Sequence, residues 1–383
     1  MKVLYSTQAV VEFDGTYYYS NSVNSTYKRY LSLGDEIIVM SYLKRVSSSK
    51  HDRIESDAIK FVFIEKENSL KKLISYSKRN KKVVKQSVDG VDYCVAHVPC
   101  PHSIQVINYS RKIDKPCLTV VCGCPFDAYW NFSWKGKIIA PFAYLRLRNA
   151  QKNVDYSIYV TKNFLEGRYP NKGHHIGCSN VNISTGIDGV LEKRLSTIDE
   201  LSHTNRKVRI GTLGAVDVYY KGQEFIIKAL QILRKQGVEY EYWIVGGGDS
   251  SRLNGIAKEC NVDDLVRFTG PLPHDKVLEL IDNIDIYAQP SLTEGLPRSV
   301  IEAMSRGCLT MGTKVGGIPE LVNPEYLFKK GDVYTIASIL QHITIDDLKL
   351  QAEKNYIAAK DYDVNELNNR RQEFIMSFKE KYT

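Results

Sequence analysis

No apolar stretch in the chain approaches the roughly 20 residues needed to cross a bilayer, so any membrane association is expected to be peripheral. A basic-then-apolar leader with a small-residue cleavage site is also missing. Met1-Lys2-Val3-Leu4-Tyr5-Ser6 reads instead as a first buried strand, which predicts a cytoplasmic protein. Paired C-x-x-C knuckles are absent, and the eight cysteines lie mostly inside apolar runs (Cys94, Cys117, Cys122, Cys260, Cys308), the pattern of reduced core thiols. Cys117, Cys122 and Cys124 with His97 and His102 come nearest to a zinc set, but their spacing does not suit one, and no metal site is expected. With no repeat at solenoid periods and no low-complexity segment, repeat architectures are excluded.

What is present is ordinary globular composition, 43% hydrophobic and 25% charged over 383 residues, long enough for two domains. The net charge of +8 is uneven: residues 1–200 hold 29 Lys and Arg against 19 Asp and Glu, the remainder 23 against 25. The basic half suggests an anionic partner such as a membrane surface, a lipid diphosphate or nucleic acid. No recognised nucleic-acid motif accompanies the charge, so nucleic acid is not expected as a partner.

Short apolar runs alternate with amphipathic stretches, predicting α/β architecture with parallel sheets. In the first half the strands are expected at Val3–Ser6, Ile37–Met40, Phe61–Ile64, Tyr93–His97, Leu118–Cys122 and Tyr156–Val160, with helices such as Leu70–Arg79 and Pro141–Ala150 between them. A Gly-, Asn- and Ser-rich segment from about 173 to 205 reads as a connection. A second series follows, with strands Val208–Leu213, Tyr240–Val245, Val266–Thr269, Ile284–Gln289 and Leu309–Met311. Phe225, Ile226, Ala229, Leu230 and Leu233 recur at helical spacing, and from about Asp346 the chain is helical with Leu348, Ile357, Leu367 and Phe374 as docking residues.

The most informative passage runs from Ser291 to Gly307, directly after the strand Asp285-Ile-Tyr-Ala-Gln-Pro290. It sets Glu294 in a strand-to-helix loop and Glu302 inside the following helix. Gly295 allows close approach to a ligand, and Pro297 suits a first helical turn. The amides around Arg298 and Ser299 then form the positive end of a helix dipole, a seat for a diphosphate. The bland alternative is that Ser291-x-x-Glu294 is a capping box and Glu302 a solvated helix residue. Three neighbours at strand carboxyl ends favour a site: Val245-Gly246-Gly247-Gly248, Lys221-Gly222, and Val315-Gly316-Gly317-Ile318-Pro319-Glu320.

With these residues in view, the chain resembles retaining glycosyltransferases of family 4, which show the order KG, VGGG, FTG, PS-x-x-EG, EA-x-x-x-G and GGIPE with an E-x7-E spacing; the likeness is strong over residues 208–322. It implies a GT-B fold, two Rossmann-like domains facing across a cleft with a C-terminal helix returning to the first domain. The expected division is an acceptor domain at 1–175 with the helix at about 362–383, a connection at 176–205, and a donor domain at 206–361. By this resemblance Glu302 would hold the donor ribose, Glu294 with the backbone of Gly295, Leu296, Pro297 and Arg298 the transferred sugar, and Lys221 the departing diphosphate. Phe268 to Leu272 would line the base pocket beside Gly246, and Gly15 would face the diphosphate from the first domain. No cofactor or metal is implied; a nucleotide diphosphate-sugar is the co-substrate, UDP-sugar favoured over GDP-sugar. Asp361-Tyr362-Asp363 reads as a chance DxD in the C-terminal helical region.

The sequence departs from the family's pattern twice. The arginine usual shortly before the KG lysine is missing from Gly214–Lys221, so diphosphate binding either loses a charge or recruits another, with Arg298 as candidate. The strand that should end in a histidine ends Val121-Cys122-Gly123-Cys124-Pro125-Phe126-Asp127; Asp127 is the substitute candidate, and His97 on a neighbouring strand is either a second candidate or a satisfied core histidine. Trp130 and Trp134 are aromatic platforms for sugar or lipid, or buried packing. The basic stretch Leu70–Lys85 suits an anionic membrane, or a helix packed on the sheet with a solvated basic face. The function expected is retaining transfer to a hydroxyl of a polyprenyl-diphosphate-linked glycan in bacterial capsule, O-antigen or exopolysaccharide synthesis, at the cytoplasmic surface of the inner membrane. The alternative is a non-catalytic sugar-nucleotide-binding subunit.

Overall fold

In the computed structural model, residues 1–66, 78–204 and 206–383 are described, and the chain divides into two compact units. One comprises Met1–Phe126, Ile138–Cys178 and Asn368–Thr383, the other Asp127–Lys137 and Ser179–Leu367.

The first unit is built on β1 (Lys2–Phe13), β2 (Tyr18–Tyr19), β3 (Glu36–Arg45), β4 (Ile59–Phe63), β5 (Tyr93–Val98), β6 (Cys117–Val121), β7 (Tyr156–Tyr159) and β8 (His174–Gly177). The order is β4-β3-β1-β5-β6-β7-β8, all parallel, with β2 antiparallel on the end of β1. Val3, Leu4, Tyr5, Cys94, Val95 and Ala96 are at most 1% exposed because both faces of a parallel sheet are covered, which is why these strands read as unbroken apolar runs. The six expected strands are present. The short β8, with His174 and His175 exposed, carries no apolar signal and sits at the sheet edge.

The helix expected over Leu70–Arg79 and the apolar residues of the basic stretch lie outside the described residues up to 77; the chain is helical over Lys78–Asp89. The helix expected to start at Pro141 starts at Trp134 and runs to Gln151, with Pro141 in its interior, an exposed position where its missing N–H strands one carbonyl. The C-terminal helix Val364–Tyr382 contributes Phe374, Ile375 and Phe378 to this unit, Phe378 packing on Tyr93 and Tyr156.

The second unit carries β9 (Arg209–Leu213), β10 (Glu241–Val245), β11 (Val266–Gly270), β12 (Ile286–Gln289), β13 (Leu309–Thr313) and β14 (Leu327–Phe328), all parallel in the order β11-β10-β9-β12-β13-β14. The helix Gln223–Lys235 buries Ile226, Ile227, Ala229, Leu230 and Leu233, each large aliphatic side chain giving roughly 1.5–3 kcal/mol on burial. Leu348 and Leu367 are buried as expected, whereas Ile357 faces solvent at 63% exposure. The Gly- and Asn-rich stretch also holds a helix, Val190–Leu201, whose inward face is Val190, Arg194 and Ile198. Arg194 is 3% exposed and donates to the carbonyls of Ile281, Ile284 and Arg306. Strand order reverses between β9 and β12, so the loops after Leu213 and Gln289 diverge and leave a crevice at the carboxyl ends.

Candidate active site

The site is assembled on the crevice at the carboxyl ends of β9 and β12. Along β12 and its exit, Tyr287, Gln289 and Ser291 alternate onto one face, and each is at most 1% exposed. They form a relay. The backbone N–H of Leu213 donates to the Tyr287 hydroxyl (3.2 Å), which donates to Gln289 Oε1 (2.9 Å). Gln289 Nε2 then donates to Ser291 Oγ (2.7 Å) and to Glu294 Oε1 (3.0 Å), and Ser291 Oγ donates to the same carboxylate oxygen (2.8 Å). Burial pushes the Tyr287 phenol up, and the negative charges of Glu302 and Glu294 add to the shift, so both carboxylates lie around the end of this strand.

Lys221 completes the group, its Nζ 2.8 Å from Glu294 Oε1, with side-chain exposures of 21% and 13%. Its position is set by main chain. Gly222 adopts φ +71°, and a Cβ there would lie 2.1 Å from the Pro290 carbonyl oxygen, so the turn after Lys221 lies flat on the exit of β12. The Leu292 N–H donates to the Tyr220 carbonyl at 2.7 Å. On the opposite side Gly316, at φ +55°, approaches the Glu294 carbonyl so closely that a Cβ would lie 2.2 Å from it, and the Gly317 N–H donates to Gly295 O at 2.6 Å. Three loops are therefore tied backbone to backbone around one ammonium–carboxylate pair. Truncating either partner leaves a partly buried charge facing unbalanced donors or acceptors, a loss of roughly 1–3 kcal/mol, below the cost for a fully buried pair.

The helix after Glu294 runs from Arg298 to Ser305 with Pro297 at its N-cap, one position earlier than a first helical turn. Ser291 lies too far before it to cap it and spends its hydroxyl on the Glu294 side chain, which removes the capping-box reading. Ser299 Oγ donates to Gln289 Oε1 (3.2 Å), joining the relay, while Arg298 is exposed and Glu302 half-buried on the same helix. Gly246 follows β10 and donates its N–H to Gly270 O, beside Phe268 in β11 and Leu272 just beyond, both half-buried. Arg252, not anticipated, ion-pairs with Glu224 and lies 4.3 Å over the Tyr219 ring next to Lys221; its Nη2 is buried with no acceptor among the described residues. Its only sequence signal is a basic residue just inside the helix after the glycine-rich turn.

The other expected residues stand on other elements. Gly15 (φ +108°) sits in the β1–β2 turn, where Asp14 accepts from the N–H groups of Thr16 and Tyr17, both at 2.8 Å. The Tyr17 N–H, the Tyr19 hydroxyl and the Thr16 N–H, all donating to it, bring the Asp14 carboxyl down to about 2. His97 packs against Tyr5, its Nε2 is 2.5 Å from the Tyr30 hydroxyl, and its Nδ1 faces Cys122 Sγ at 3.9 Å. Burial, helped by Arg29 and Arg371, lowers its pKa to about 3, so it is a neutral packed imidazole. Asp127 is in the first turn of the Pro125–Trp130 helix. Trp130 and Trp134 are 42% and 70% exposed, with Lys137 and Lys135 ammonium groups over them, so neither ring is core packing. Asp363 of the DxD accepts from Thr185 and from the Asn365 N–H, a capping role.

Residues 199–361, which hold the whole Lys221–Glu294–Glu302 group, match the family described as Glycosyl transferases group 1. Protein CapJ of Staphylococcus aureus is 31% identical over 97% of this chain and 93% of its own length. The amylovoran biosynthesis glycosyltransferase AmsK of Erwinia amylovora is 33% identical over 32% of this chain and 33% of its own. Among solved structures, the sucrose-phosphate synthase of Thermosynechococcus elongatus superposes with a TM-score of 0.70 at 15% identity, over 98% of both chains. Anabaena HepE, in complex with UDP and glucose, gives 0.63 at 17% identity, over 98% of this chain and all of its own. These superpositions establish the GT-B fold. With a relative matched along nearly its full length, and with the group 1 signature falling on the loops that hold Lys221 and Glu294, the chain belongs to the glycosyl transferases of group 1.

Proposed function

We propose that the protein is a retaining, metal-independent glycosyltransferase of family 4 type that moves a sugar from a nucleotide diphosphate-sugar, UDP-sugar before GDP-sugar, to a hydroxyl of a polyprenyl-diphosphate-linked glycan in bacterial capsule or exopolysaccharide synthesis. The observation that carries this reading is the Lys221–Glu294 pair, held by Gln289 and Ser291 at the crevice of the second sheet. The names of AmsK and of HepE with UDP and glucose support the polymer class and the uracil base.

In this reading Lys221 meets the diphosphate as its bond to the sugar breaks, where charge develops most, and so acts on the transition state more than on the bound donor. The N–H groups at the start of the Arg298 helix take the remaining phosphate oxygens, and Arg252 or Arg298 supplies the second positive charge. Glu294, relieved of part of its bond to Lys221, accepts hydroxyls of the sugar, with the backbone of Gly295 to Arg298. Glu302 holds the ribose and the Phe268–Leu272 segment lines the base. Gly15 faces the diphosphate, Asp127 takes the acceptor proton, and Trp130 and Trp134 offer aromatic faces to the acceptor glycan.

Release of nucleoside diphosphate from UDP-, GDP- and ADP-sugars, with a lipid-linked glycan or, more slowly, water taking the sugar, tests this. Time-dependent release is expected with a UDP-sugar, and about a hundredfold or greater loss in Lys221→Ala and Glu294→Ala with the fold intact. Donor binding with no release favours a non-catalytic sugar-nucleotide-binding subunit, and unchanged turnover in both variants ends the assignment.

A further inference from the structure

The helix Trp134–Gln151 is apolar on two opposite sides. One side is core: Ala140, Leu147, Ala150 and Gln151 are at most 2% exposed. On the other, Ile138, Phe142 and Leu145 are 61%, 62% and 51% exposed, and at 100° per residue they share a sector of roughly 60°. Single exposed apolar residues are ordinary, but three bulky ones in a contiguous line on one rigid helix mark an interaction surface. Arg148, beside the Tyr144 ring, and Lys152, one residue past the helix, are exposed cations flanking that line, whereas Arg146 is half-buried and donates to the Pro101 carbonyl. From Ile138 to Val154 the chain holds three basic residues (Arg146, Arg148, Lys152) and no acidic one.

We propose that this face is a membrane-docking surface, with Ile138, Phe142 and Leu145 inserted into the headgroup–acyl boundary of an anionic bilayer while Arg148 and Lys152 meet lipid phosphates. The charge pattern selects the occupant: a second copy of this chain would bring like charges together, whereas an anionic leaflet complements them. The inference rests on the reading of a lipid-borne acceptor for its purpose. It turns the protein into an enzyme that meets its acceptor by two-dimensional search, since a carrier lipid never leaves the plane on which the helix lies.

The test is co-sedimentation of the full chain with vesicles of phosphatidylcholine alone and with about one-third phosphatidylglycerol. The wild-type protein is expected to partition onto the anionic vesicles, and the Ile138→Ser/Phe142→Ser/Leu145→Ser variant to lose about tenfold or more of that partitioning. Slow hydrolytic release of UDP from a UDP-sugar without vesicles, water taking the sugar in place of the acceptor, should stay within about twofold, as the three belong to a different unit from the Lys221–Glu294 group. If the triple variant melts early, Phe142→Ser alone serves. Wild-type protein that ignores both vesicles, or a variant that partitions normally, overturns the proposal. So does a dimer in sedimentation velocity that the variant dissolves. Vesicle binding without donor turnover would instead sink the proposed reaction and leave the surface standing.

Discussion

Each sheet reverses its strand order beside its first strand, and the two reversal points are filled differently. In the second unit, between β9 and β12, the crevice gathers Lys221, Glu294, Gln289 and Ser291, charged and hydrogen-bonded, and partly open to solvent. In the first unit, between β1 and β5, Tyr5 from β1 and His97 from β5 pack with Tyr30, and burial keeps all three neutral. One topology thus offers two crevices, and side-chain content decides that one carries charge while the other is plugged with rings.

The comparison breaks most sharply at Lys221 and Glu294, where alanine should cost about two orders of magnitude or more in transfer, read as nucleoside diphosphate release. Gln289→Ala should cost about tenfold, by letting the Glu294 carboxylate wander, with substrate KM moving less than kcat. His97→Phe keeps the ring packing of the first crevice and should leave turnover within about threefold, while the unpaired Tyr30 hydroxyl lowers stability by roughly 1–3 kcal/mol in urea titration. A hundredfold loss of turnover there would make the plugged crevice a catalytic one.

The last effect, on stability and not on turnover, is that of pH. His97 and His102 are held near 3 and 4 against an ordinary 6.5, both chiefly by burial. Above pH 6.5 neither state binds the proton and the stability is complete. As pH falls below 6.5 the unfolded chain takes up protons that the folded one refuses, so each histidine removes up to about 1.4 kcal/mol per pH unit until its folded pKa is reached. Urea midpoints between pH 7.5 and 5 should therefore fall, and fall less in His97→Phe.

Much of the second unit was legible because its chemistry follows the chain: Glu294, the start of the Arg298 helix and Glu302 lie within nine residues, and the glycine turns sit at the ends of strongly apolar strands. What escaped was support that crosses the chain. Tyr287, Gln289 and Ser291 do show a polar alternation within a buried strand, but their partners come from Leu213 and Ser299. The Val190–Leu201 helix was hidden by Arg194, a charge on its inner face at the position an apolar residue would mark, satisfied by carbonyls some ninety or more residues away in sequence. Pro141 concealed the first turns of its helix for the opposite reason: a proline signals a start, yet an exposed helix interior can hold one at the loss of a hydrogen bond.

The ties Leu292 to Tyr220 and Gly317 to Gly295 join peptide groups, so the gap between ammonium and carboxylate is gauged by main chain. Exposed neighbours such as Tyr219, 67% open to solvent, can then change without moving it, even where, as here, a ring supports a charge such as Arg252. Evolution can repaint the rim of such a crevice for new sugars while its two glycine hinges, Gly222 and Gly316, stay under strict steric veto.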